Sequence, residues 1–551
     1  MQKTVVLMSA LTRSNPEKQW ITRETRMRLE NYLTGQWLVA KGTGVTLTDP
    51  VTGEALVEAA SDGIDLAAAL DHARQQGGPA LRALTHAQRG MMLASIAEVL
   101  GARRSHYFEI SQRNSGATEA DAGFDVDGAI FTLKAFARLA KSLGETNGFV
   151  DGVLVPLSKE GNFMARHVMT AQKGIAIFIN AFNFPAWGLW EKAAPALLAG
   201  MPVFVKPATP TAWLAQQMVK DVVEAGILPA GAISIVCGGA RDLLDHVEPT
   251  DVVSFTGSAK TAQTIKTHPR IVAGAVRTNI EADSVNALVV GPDAVMGSRV
   301  AELAIKEVVR EMTIKAGQKC TAIRRIFVPQ AIADAFQSAL ADKLARIQVG
   351  DPRIEGVRMG PLVSMAQKDA ALAGIEQLKA ECSVAFKSDA VSLADGVSAD
   401  TTAIVPITLL RCDDPQRARV VHEVEVFGPV ATLIPYADDA DLATMLRRGG
   451  GSLVASIFSN DGDFTDALVE QVGDLHGRLM LVDDQVDAGH TGHGNVMPNC
   501  LHGGPGRAGG GEELGGLRAL GFYLRRHVVQ GSPARLEALV ANRADAALLS
   551  A

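Results

Sequence analysis

The chain has 551 residues, of which 47% are hydrophobic and 21% charged, and its formal net charge is −7. These values are typical of a globular protein with two or three domains. The acidic balance excludes a broad basic surface for nucleic acid. No apolar run approaches the length of about 18 residues that a membrane-spanning helix needs, so no membrane span is expected.

The cysteines are widely spaced and include no CxxC pair. This pattern disfavours a disulfide framework and a zinc knuckle, and it favours a reducing, cytoplasmic location. The five positions are Cys237, Cys320, Cys382, Cys412 and Cys500.

The N-terminal third is predicted to be an extension followed by helices. Residues 1–26 form a polar, charged extension whose apolar run is too brief for a signal peptide. Residues 65–146 are predicted to be helical, since Met92, Ile96 and Leu100 recur at four-residue spacing.

The middle of the chain alternates between short apolar strands and helices. Strands are predicted at 174–180, 202–207, 232–238 and 251–257, with helices near 187–198, 211–225 and 241–247. This alternation predicts a parallel, doubly wound sheet. Ligands of such sheets bind beyond the carboxyl ends of the strands, which here carry residues 180–183, 206–209 and 256–258.

A second α/β region is predicted after residue 284 and runs to about residue 505. Two further stretches, 153–170 and 519–530, have the composition of strands and lie outside both units. The region 301–312 is predicted to be a helix, and the segment KAGQKCTAIRR at 315–325 follows it.

Four stretches in order along the chain carry a family resemblance. They are FINAFNFPAW, VKPAT, FTGSA and the pair IEADS with GQKCTAIRR. Together they resemble the aldehyde dehydrogenase superfamily over roughly residues 27–530. The most specific marks are the Asn-Phe-Pro at 183–185 and the Gly-Gln-Xaa-Cys at 317–320.

The resemblance implies a fold and a domain plan. It implies a Rossmann-like NADP-binding domain at 27–149 and 172–283 and an α/β catalytic domain at 284–505. It also implies a small β oligomerisation arm at 150–171 and 515–530, followed by a tail at 531–551. A homodimer is expected, because an isolated flap of two or three strands is marginal alone.

The resemblance also implies the chemistry. Cys320 is expected to be the nucleophile that adds to the aldehyde, and Asn183 to stabilise the resulting oxyanion. Glu281 is expected to be the base that activates the hydrolytic water. The continuation Glu281-Ala282-Asp283-Ser284 departs from the usual Glu-Leu-Gly-Gly, so Asp283 is a rival carboxylate.

The expected cofactor residues lie mainly at the strand ends. Lys206 matches a lysine placed against the adenosine ribose. Thr209 stands where many NAD-using relatives carry a glutamate, which favours NADP, although Thr209 could instead cap the following helix. The remaining expected cofactor residues are Phe182, Gly257, Ser258, Glu425 and Phe427.

Within the superfamily, the Cys320 segment and the glycine-rich segment 502–516 resemble a ring-cleavage branch. Members of this branch oxidise semialdehydes linked to coenzyme A (CoA) during aerobic degradation of aromatic acids. Alternatives are a dehydrogenase of the phenylacetate pathway, a general aldehyde dehydrogenase and a catalytically silent binding homologue. A CoA-acylating enzyme is disfavoured because Glu281 is present.

Three histidines, His490, His493 and His502, lie in or beside the glycine-rich segment. Without a paired carboxylate or cysteine motif, they are expected to shape the rim of the site and not to bind a metal.

Overall fold

The computed structural model describes residues 27–486 and 488–550, so the predicted N-terminal extension at 1–26 lies outside the described part. No helix among the described residues is long and apolar enough to cross a membrane. The strands in chain order are β1 (Asn31–Leu33), β2 (Gln36–Leu38), β3 (Val45–Thr48), β4 (Ala55–Ala59), β5 (Phe149–Pro156), β6 (Met164–Ala171), β7 (Ala176–Ile179), β8 (Val203–Lys206), β9 (Ile233–Ile235), β10 (Val252–Thr256), β11 (Arg277–Glu281), β12 (Asn286–Val290), β13 (Ile323–Pro329), β14 (Val349–Gly350), β15 (Ser383–Lys387), β16 (Val391–Ser392), β17 (Thr408–Arg411), β18 (Val430–Tyr436), β19 (Ser452–Phe458), β20 (His476–Val482), β21 (Leu501–Gly503), β22 (Glu512–Leu514), β23 (Leu524–Gly531) and β24 (Ala544–Asp545).

The helices confirm the predicted helical regions. The predicted helix near 241–247 is a short 3₁₀ turn at Leu243–His246. The α-helices in chain order are α1 (Leu66–His72), α2 (Gly78–Ala83), α3 (His86–Ala102), α4 (Arg104–Ser115), α5 (Glu119–Leu143), α6 (Trp187–Ala199), α7 (Ala212–Glu224), α8 (Ala259–Lys266), α9 (Pro269–Gly274), α10 (Arg299–Thr313), α11 (Ala333–Leu344), α12 (Met365–Lys379), α13 (Val420–Glu423), α14 (Asp439–Arg447), α15 (Gly462–Val472), α16 (Leu520–Tyr523) and α17 (Pro533–Val540).

The first large sheet has the order β11-β10-β7-β8-β9-β1-β2. The five strands from β11 to β9 pair in parallel, and β1 joins the edge in antiparallel orientation. Their side chains are almost all buried, as expected for a parallel sheet covered on both faces. The predicted doubly wound sheet is therefore confirmed.

The second large sheet has the order β15-β17-β18-β13-β12-β19-β20 and is parallel except for β15. Strand β11 ends at Glu281 in the first sheet, and β12 begins at Asn286 in the second. The chain therefore crosses between the two sheets beside the predicted base.

A smaller sheet has the order β23-β6-β5-β24. Strands β6 and β23 pair along eight residues, from Ala171 opposite Leu524 to Met164 opposite Gly531. The stretches 153–170 and 519–530 therefore do contribute strands to one sheet outside both large units.

Helix α6 lies in the same hydrophobic core as strands β7, β8 and β9 of the first large sheet. All its residues except Trp187 are buried, and it packs against α5. Helix α5 begins with a capping box in which Thr118 and Asp121 satisfy each other's backbone N–H groups. This pair of helices forms the wall on which the outer part of the site is built.

Candidate active site

Cys320 lies in a loop between α10 and β13. Helix α10 ends at Thr313, and a 3₁₀ turn follows in which Lys315 and Ala316 have φ of 52° and 51°. This left-handed conformation is strained for residues with a side chain. The surrounding contacts therefore have to hold the turn in place.

Arg324 supplies several of those contacts. Its guanidinium donates to the carbonyls of Gly317, Lys319 and Gly428 at 2.9, 3.2 and 2.9 Å. Asn286 donates from its amide to the carbonyl of Cys320 at 2.8 Å. The basic residue after the cysteine thus holds the loop and does not form a basic surface.

Cys320, Glu281 and His502 converge at the end of this loop. Their sulfur, oxygen and nitrogen atoms all lie within 4.8 Å of one another. His502 Nε2 lies 3.1 Å from Glu281 Oε2, and both side chains are buried. These are donor types found in zinc sites, but the ion pair explains the closest contact without a metal.

The electrostatics of this group follow from burial and from the ion pair. Burial, followed by the negative charge of Glu281, raises the pKa of the Cys320 thiol well above its ordinary value. Burial raises the pKa of the Glu281 carboxyl, but the charge of His502 outweighs burial and lowers it. Burial likewise opposes charge on His502, but Glu281 raises its pKa.

Asn183 faces the same loop. Its buried side-chain amide donates to the carbonyl of Gln318 at 3.0 Å. Asn183, Glu281 and Cys320 all line a small inner cavity of about 20 Å³. The three residues that the sequence predicts for the chemistry are thus brought together.

An outer cavity of about 390 Å³ leads to Cys320 from the surface. Its walls are mostly apolar and come from α5, α6 and the loop before β21. The lining includes Phe124, Phe131, Trp187, Val496, Met497 and His502. Cys320 and Trp187 line both cavities, so an aldehyde that fills the outer one can reach the sulfur.

A buried charge cluster lies behind the inner cavity. Lys192 Nζ lies 2.6 Å from Glu191 Oε1 and 3.0 Å from Glu513 Oε2, with all three side chains at most 8% exposed. Burial raises the pKa of Glu191 to about 8. The Lys192 cation lowers the pKa of Glu281 together with His502.

The sequence analysis did not identify this cluster. Its trace in the sequence is a charged pair, Glu191-Lys192, inside an otherwise apolar helix, and the acidic pair 512–513 inside the glycine-rich segment. Charged residues are almost never fully buried unless they are paired. Charged residues inside these apolar and glycine-rich segments could therefore have indicated a buried ion pair.

The other histidines do not join the site. His493 is fully buried, contacts Ser456 through Nδ1 and donates its backbone N–H to Glu307 at 2.7 Å. His490 is in neither cavity lining. Of the three histidines considered from the sequence, His502 alone lines the outer cavity.

The glycine-rich segment packs against β11. A Cβ at Gly509 would lie 2.2 Å from the carbonyl oxygen of Ile280, and one at Gly511 would lie 2.6 Å from the same atom. These glycines let the segment approach the strand that ends at Glu281. This approach puts His502 and Glu513 within reach of the site.

Asp283, the rival carboxylate, is directed elsewhere. Its Oδ1 accepts from the backbone N–H of Ala259 at 3.0 Å, at the N-terminus of α8. It is absent from the linings of both cavities, whereas Glu281 lines the inner one.

Four of the predicted cofactor residues lie at or just after the carboxyl ends of β8 and β10. Lys206 ends β8, and its Nζ donates to the carbonyl of Pro207 at 3.1 Å. The Thr209 hydroxyl donates to the carbonyl of Gly238 at 3.4 Å. The N-cap of α7 is Thr211, so the alternative in which Thr209 caps that helix is not supported.

Gly257 and Ser258 connect β10 to α8. A Cβ at Gly257 would lie 2.6 Å from the Phe255 ring, so this position has no room for a side chain. The Ser258 side chain accepts from the N–H of Thr261 and caps the helix.

Glu425 and Phe427 face the same region from the other unit. Glu425 Oε2 accepts from the N–H of Ser284 at 3.1 Å, and burial raises the pKa of Glu425 to about 7. Its buried Oε1 has no hydrogen-bond partner among the described residues. Phe427 packs edge-to-face on Phe182 with ring centres 5.7 Å apart.

The aldehyde dehydrogenase family model matches residues 37–526, and the chain belongs to this family. The chain is 61% identical over 479 residues to 3,4-dehydroadipyl-CoA semialdehyde dehydrogenase of Aromatoleum evansii, covering 87% of this chain and 93% of that protein. It is 41% identical over 179 residues to Protein MaoC of Klebsiella aerogenes, covering 32% of this chain and 52% of that protein. The resemblance stated from the sequence is confirmed, and the chain is an aldehyde dehydrogenase.

Solved structures confirm the fold. PnpE in complex with nicotinamide adenine dinucleotide has a TM-score of 0.79 at 23% identity, covering 92% of this chain and 98% of that chain. Betaine aldehyde dehydrogenase of Staphylococcus aureus in complex with NAD⁺ has a TM-score of 0.79 at 22% identity. The match covers 92% of this chain and 95% of that chain.

Proposed function

We propose that the protein oxidises a CoA-linked semialdehyde, 3,4-dehydroadipyl-CoA semialdehyde or a close analogue, to the carboxylic acid with NADP. The observation that carries the chemistry is the convergence of Cys320, Glu281 and Asn183 on one inner cavity. The substrate class follows from the 61% identity to an enzyme named for that semialdehyde.

The first step is addition of the Cys320 sulfur to the aldehyde carbon. Because burial and Glu281 raise its pKa, the resting sulfur is a thiol and needs a base. Glu281 lies close enough to take that proton as the carbon–sulfur bond forms. The product is a thiohemiacetal whose oxygen carries the developing negative charge.

The Asn183 amide and the backbone N–H of Cys320 are the donors for that oxyanion. Fixed donors stabilise such a charge more than water does, because they need no reorganisation. The bond from Asn183 to the Gln318 carbonyl holds the amide in place and leaves its second N–H for the substrate.

A bound NADP would supply the hydride acceptor for the thiohemiacetal carbon. The residues present fit a dinucleotide, since the buried Glu425 Oε1 has no hydrogen-bond partner among the described residues and can accept from a ribose hydroxyl, with the Arg324 guanidinium 3.9 Å away. Lys206 and Thr209 would hold the adenosine end, and Gly257 and Ser258 the pyrophosphate. Phe182 and Phe427 would lie on the nicotinamide side.

Hydride loss leaves a thioester on Cys320, which water hydrolyses. Glu281 is the proposed base for this water, and the cluster of Lys192, Glu191 and Glu513 lies behind it as a buried set of proton-binding groups. An enzyme that passed its acyl group to CoA would not need this base, which favours hydrolysis.

Two variants test the assignment. Cys320→Ala is expected to lower the rate at least about a thousand-fold, because the nucleophile is lost. Glu281→Gln is expected to slow steady turnover by about 10²- to 10⁴-fold and to leave acyl-enzyme on Cys320. Intact-mass spectrometry during turnover detects that adduct.

Cys500→Ala is the matched control, because Cys500 is an exposed cysteine. It is expected to keep wild-type turnover. An active Cys320→Ala variant would disprove covalent catalysis and support a silent-homologue or non-covalent alternative. An adduct-free Glu281→Gln variant with steady turnover near wild type would remove Glu281 from the base role.

A further inference from the structure

Helix α5 forms one wall of the outer cavity and continues past its mouth. Phe124, Gly128 and Phe131 line the cavity on successive turns of the helix. Phe131 is 42% exposed and marks the mouth. Further along the same face, Lys134 and Arg138 are exposed, and the Arg138 guanidinium lies 5.8 Å from the centre of the Phe131 ring.

We propose that the stripe of Phe131, Lys134 and Arg138 binds the nucleotide end of a CoA thioester whose aldehyde end reaches Cys320. This inference rests on the proposed CoA-linked substrate and states where the CoA part is recognised.

The length of the helix supports the assignment. Phe124 lies on the same helix face at the inner end of the cavity, since the Lys319 ammonium beside Cys320 is 5.2 Å from its ring. Arg138 lies 14 residues after Phe124, a rise of about 21 Å along the helix. A six-carbon acyl chain with the pantetheine arm has about as many chain atoms as six extended residues, which span on the order of 20 Å. The nucleotide would therefore emerge beside Lys134 and Arg138.

The chemistry of the stripe also matches this ligand. Adenine stacks on aromatic and guanidinium faces, and phosphates bind to arginine and lysine. The protein carries a net charge of −7, so an anionic ligand needs local cations at the mouth. Asp127, an acidic residue of the cavity lining, is paired with Arg104 at 2.6 and 2.7 Å, so its charge is compensated.

The apolar walls between Cys320 and Phe131 suit the arm between the two ends. Phe124, Trp187, Val496 and Met497 offer surface for an acyl chain and for the gem-dimethyl group of pantetheine. The polar nucleotide would then lie at the exposed mouth, and the apolar chain would lie against the apolar walls inside.

The experiment compares the CoA-linked semialdehyde with a free short-chain aldehyde and uses free CoA as an inhibitor of free-aldehyde oxidation. Arg138→Gln is expected to raise the KM of the CoA substrate and the inhibition constant of CoA about two- to five-fold, as for an exposed ion pair. The double variant Lys134→Gln/Arg138→Gln is expected to raise both about ten-fold. Lys343→Gln, at an exposed cation on α11 outside both cavity linings, is the control and is expected to change neither.

The outcomes separate this proposal from the proposed function. If the wild type does not prefer the CoA-linked semialdehyde to the free one, the substrate assignment is wrong. If it does prefer it, but the double variant has wild-type KM and CoA inhibition, the recognition site on α5 is overturned. Loss of inhibition by free CoA in the double variant, with the control unaffected, supports it.

Discussion

The reactivity of Cys320 depends on its neighbours. A cysteine with a raised pKa is a poor nucleophile at neutral pH, because only the thiolate attacks. Glu281 contributes to that raised pKa while it is ionised, and its carboxylate lies within 4.8 Å of the sulfur, where it can accept the proton. In the proposed mechanism, the sulfur therefore rests as a thiol and is activated when one proton passes to Glu281.

His502 sets the protonation of that pair. It holds the Glu281 carboxylate in the ionised form against the effect of burial. Its ring also packs near Trp187 at 5.7 Å, which fixes its position. The other charged groups near it are Glu191, Glu513 and Lys192, and the negative pair raises the pKa of His502 further.

Replacement of His502 is expected to move the acid limb of the pH–rate profile. In His502→Phe the carboxylate loses its cation while remaining buried, so the pKa of Glu281 rises and Glu281 becomes protonated at a higher pH. The pKa of Glu281 is held at about 2 in the wild type, and burial, which raises it, is then opposed only by Lys192 and the hydrogen bond with Cys320. The acid limb should therefore enter the measured range in His502→Phe, so that the rate at pH 5 falls more than the rate at pH 8. The measurement is kcat against pH from 5 to 9.

Two further variants distinguish charge from packing. His502→Lys keeps a cation and is expected to restore part of the acid limb. His493→Asn alters a buried histidine outside both cavities, so it should leave the limb in place even if the protein is less stable. An acid limb in His502→Phe that coincides with the wild type would assign His502 a packing role only.

Thr209 is the residue expected to decide between NADP and NAD. A carboxylate within about 4 Å of the 2′-phosphate of NADP would cost roughly 1 to 4 kcal/mol, depending on the local dielectric. Thr209 is uncharged, and Lys206 lies three residues earlier at the end of β8. We therefore expect the wild type to prefer NADP and Thr209→Glu to lower the NADP/NAD ratio of kcat/KM at least about ten-fold.

Thr211→Ser provides a nearby control that keeps a hydroxyl in the same turn. An NAD preference in the wild type would contradict the prediction. An unchanged cofactor ratio in Thr209→Glu would show that other residues recognise the phosphate.

At the scale of elements, the sequence predicted the strands and helices whose formation depends on local residue pattern. Strands β7, β8 and β10 are short apolar runs, helices α7 and α10 follow hydrophobic periodicity, and α6 is an apolar helix that ends before Gly200. Their order alone indicates a parallel sheet, so the edge that carries Lys206, Thr209 and Gly257 could be predicted.

The parts that could not be predicted depend on contacts between distant segments. The buried charged groups of the site come from four separate elements: Glu191 on α6, Glu281 on β11, His502 on β21 and Glu513 on β22. They meet only because the glycine-rich hairpin packs on β11. No local pattern gives that packing. The same is true of the turn at Lys315, where φ is positive without a glycine, because the tertiary contacts of Arg324 hold the turn.

At the scale of the whole molecule, the sheet β23-β6-β5-β24 and its connecting loop carry a group of exposed apolar side chains. Val153 is 76% exposed, and Val155, Leu157, Phe163 and Val528 are each more than 40% exposed. Strand β23 lies at the edge of this sheet, with most of its side chains accessible. Exposed edges and clustered apolar side chains are usually covered by another chain.

We therefore expect a homodimer in which this sheet packs against, or is extended by, the sheet of a second copy. Light scattering at micromolar concentration should give twice the 58.1 kDa mass of the chain. Val528→Lys introduces a charge on the edge strand and is expected to shift the protein toward the monomer by at least about ten-fold in dimerisation constant. Val295→Lys, at a valine 63% exposed outside this sheet, should leave the mass unchanged.

A monomeric wild type would rule out the dimer, whereas a dimer unaffected by Val528→Lys would place its interface on another surface.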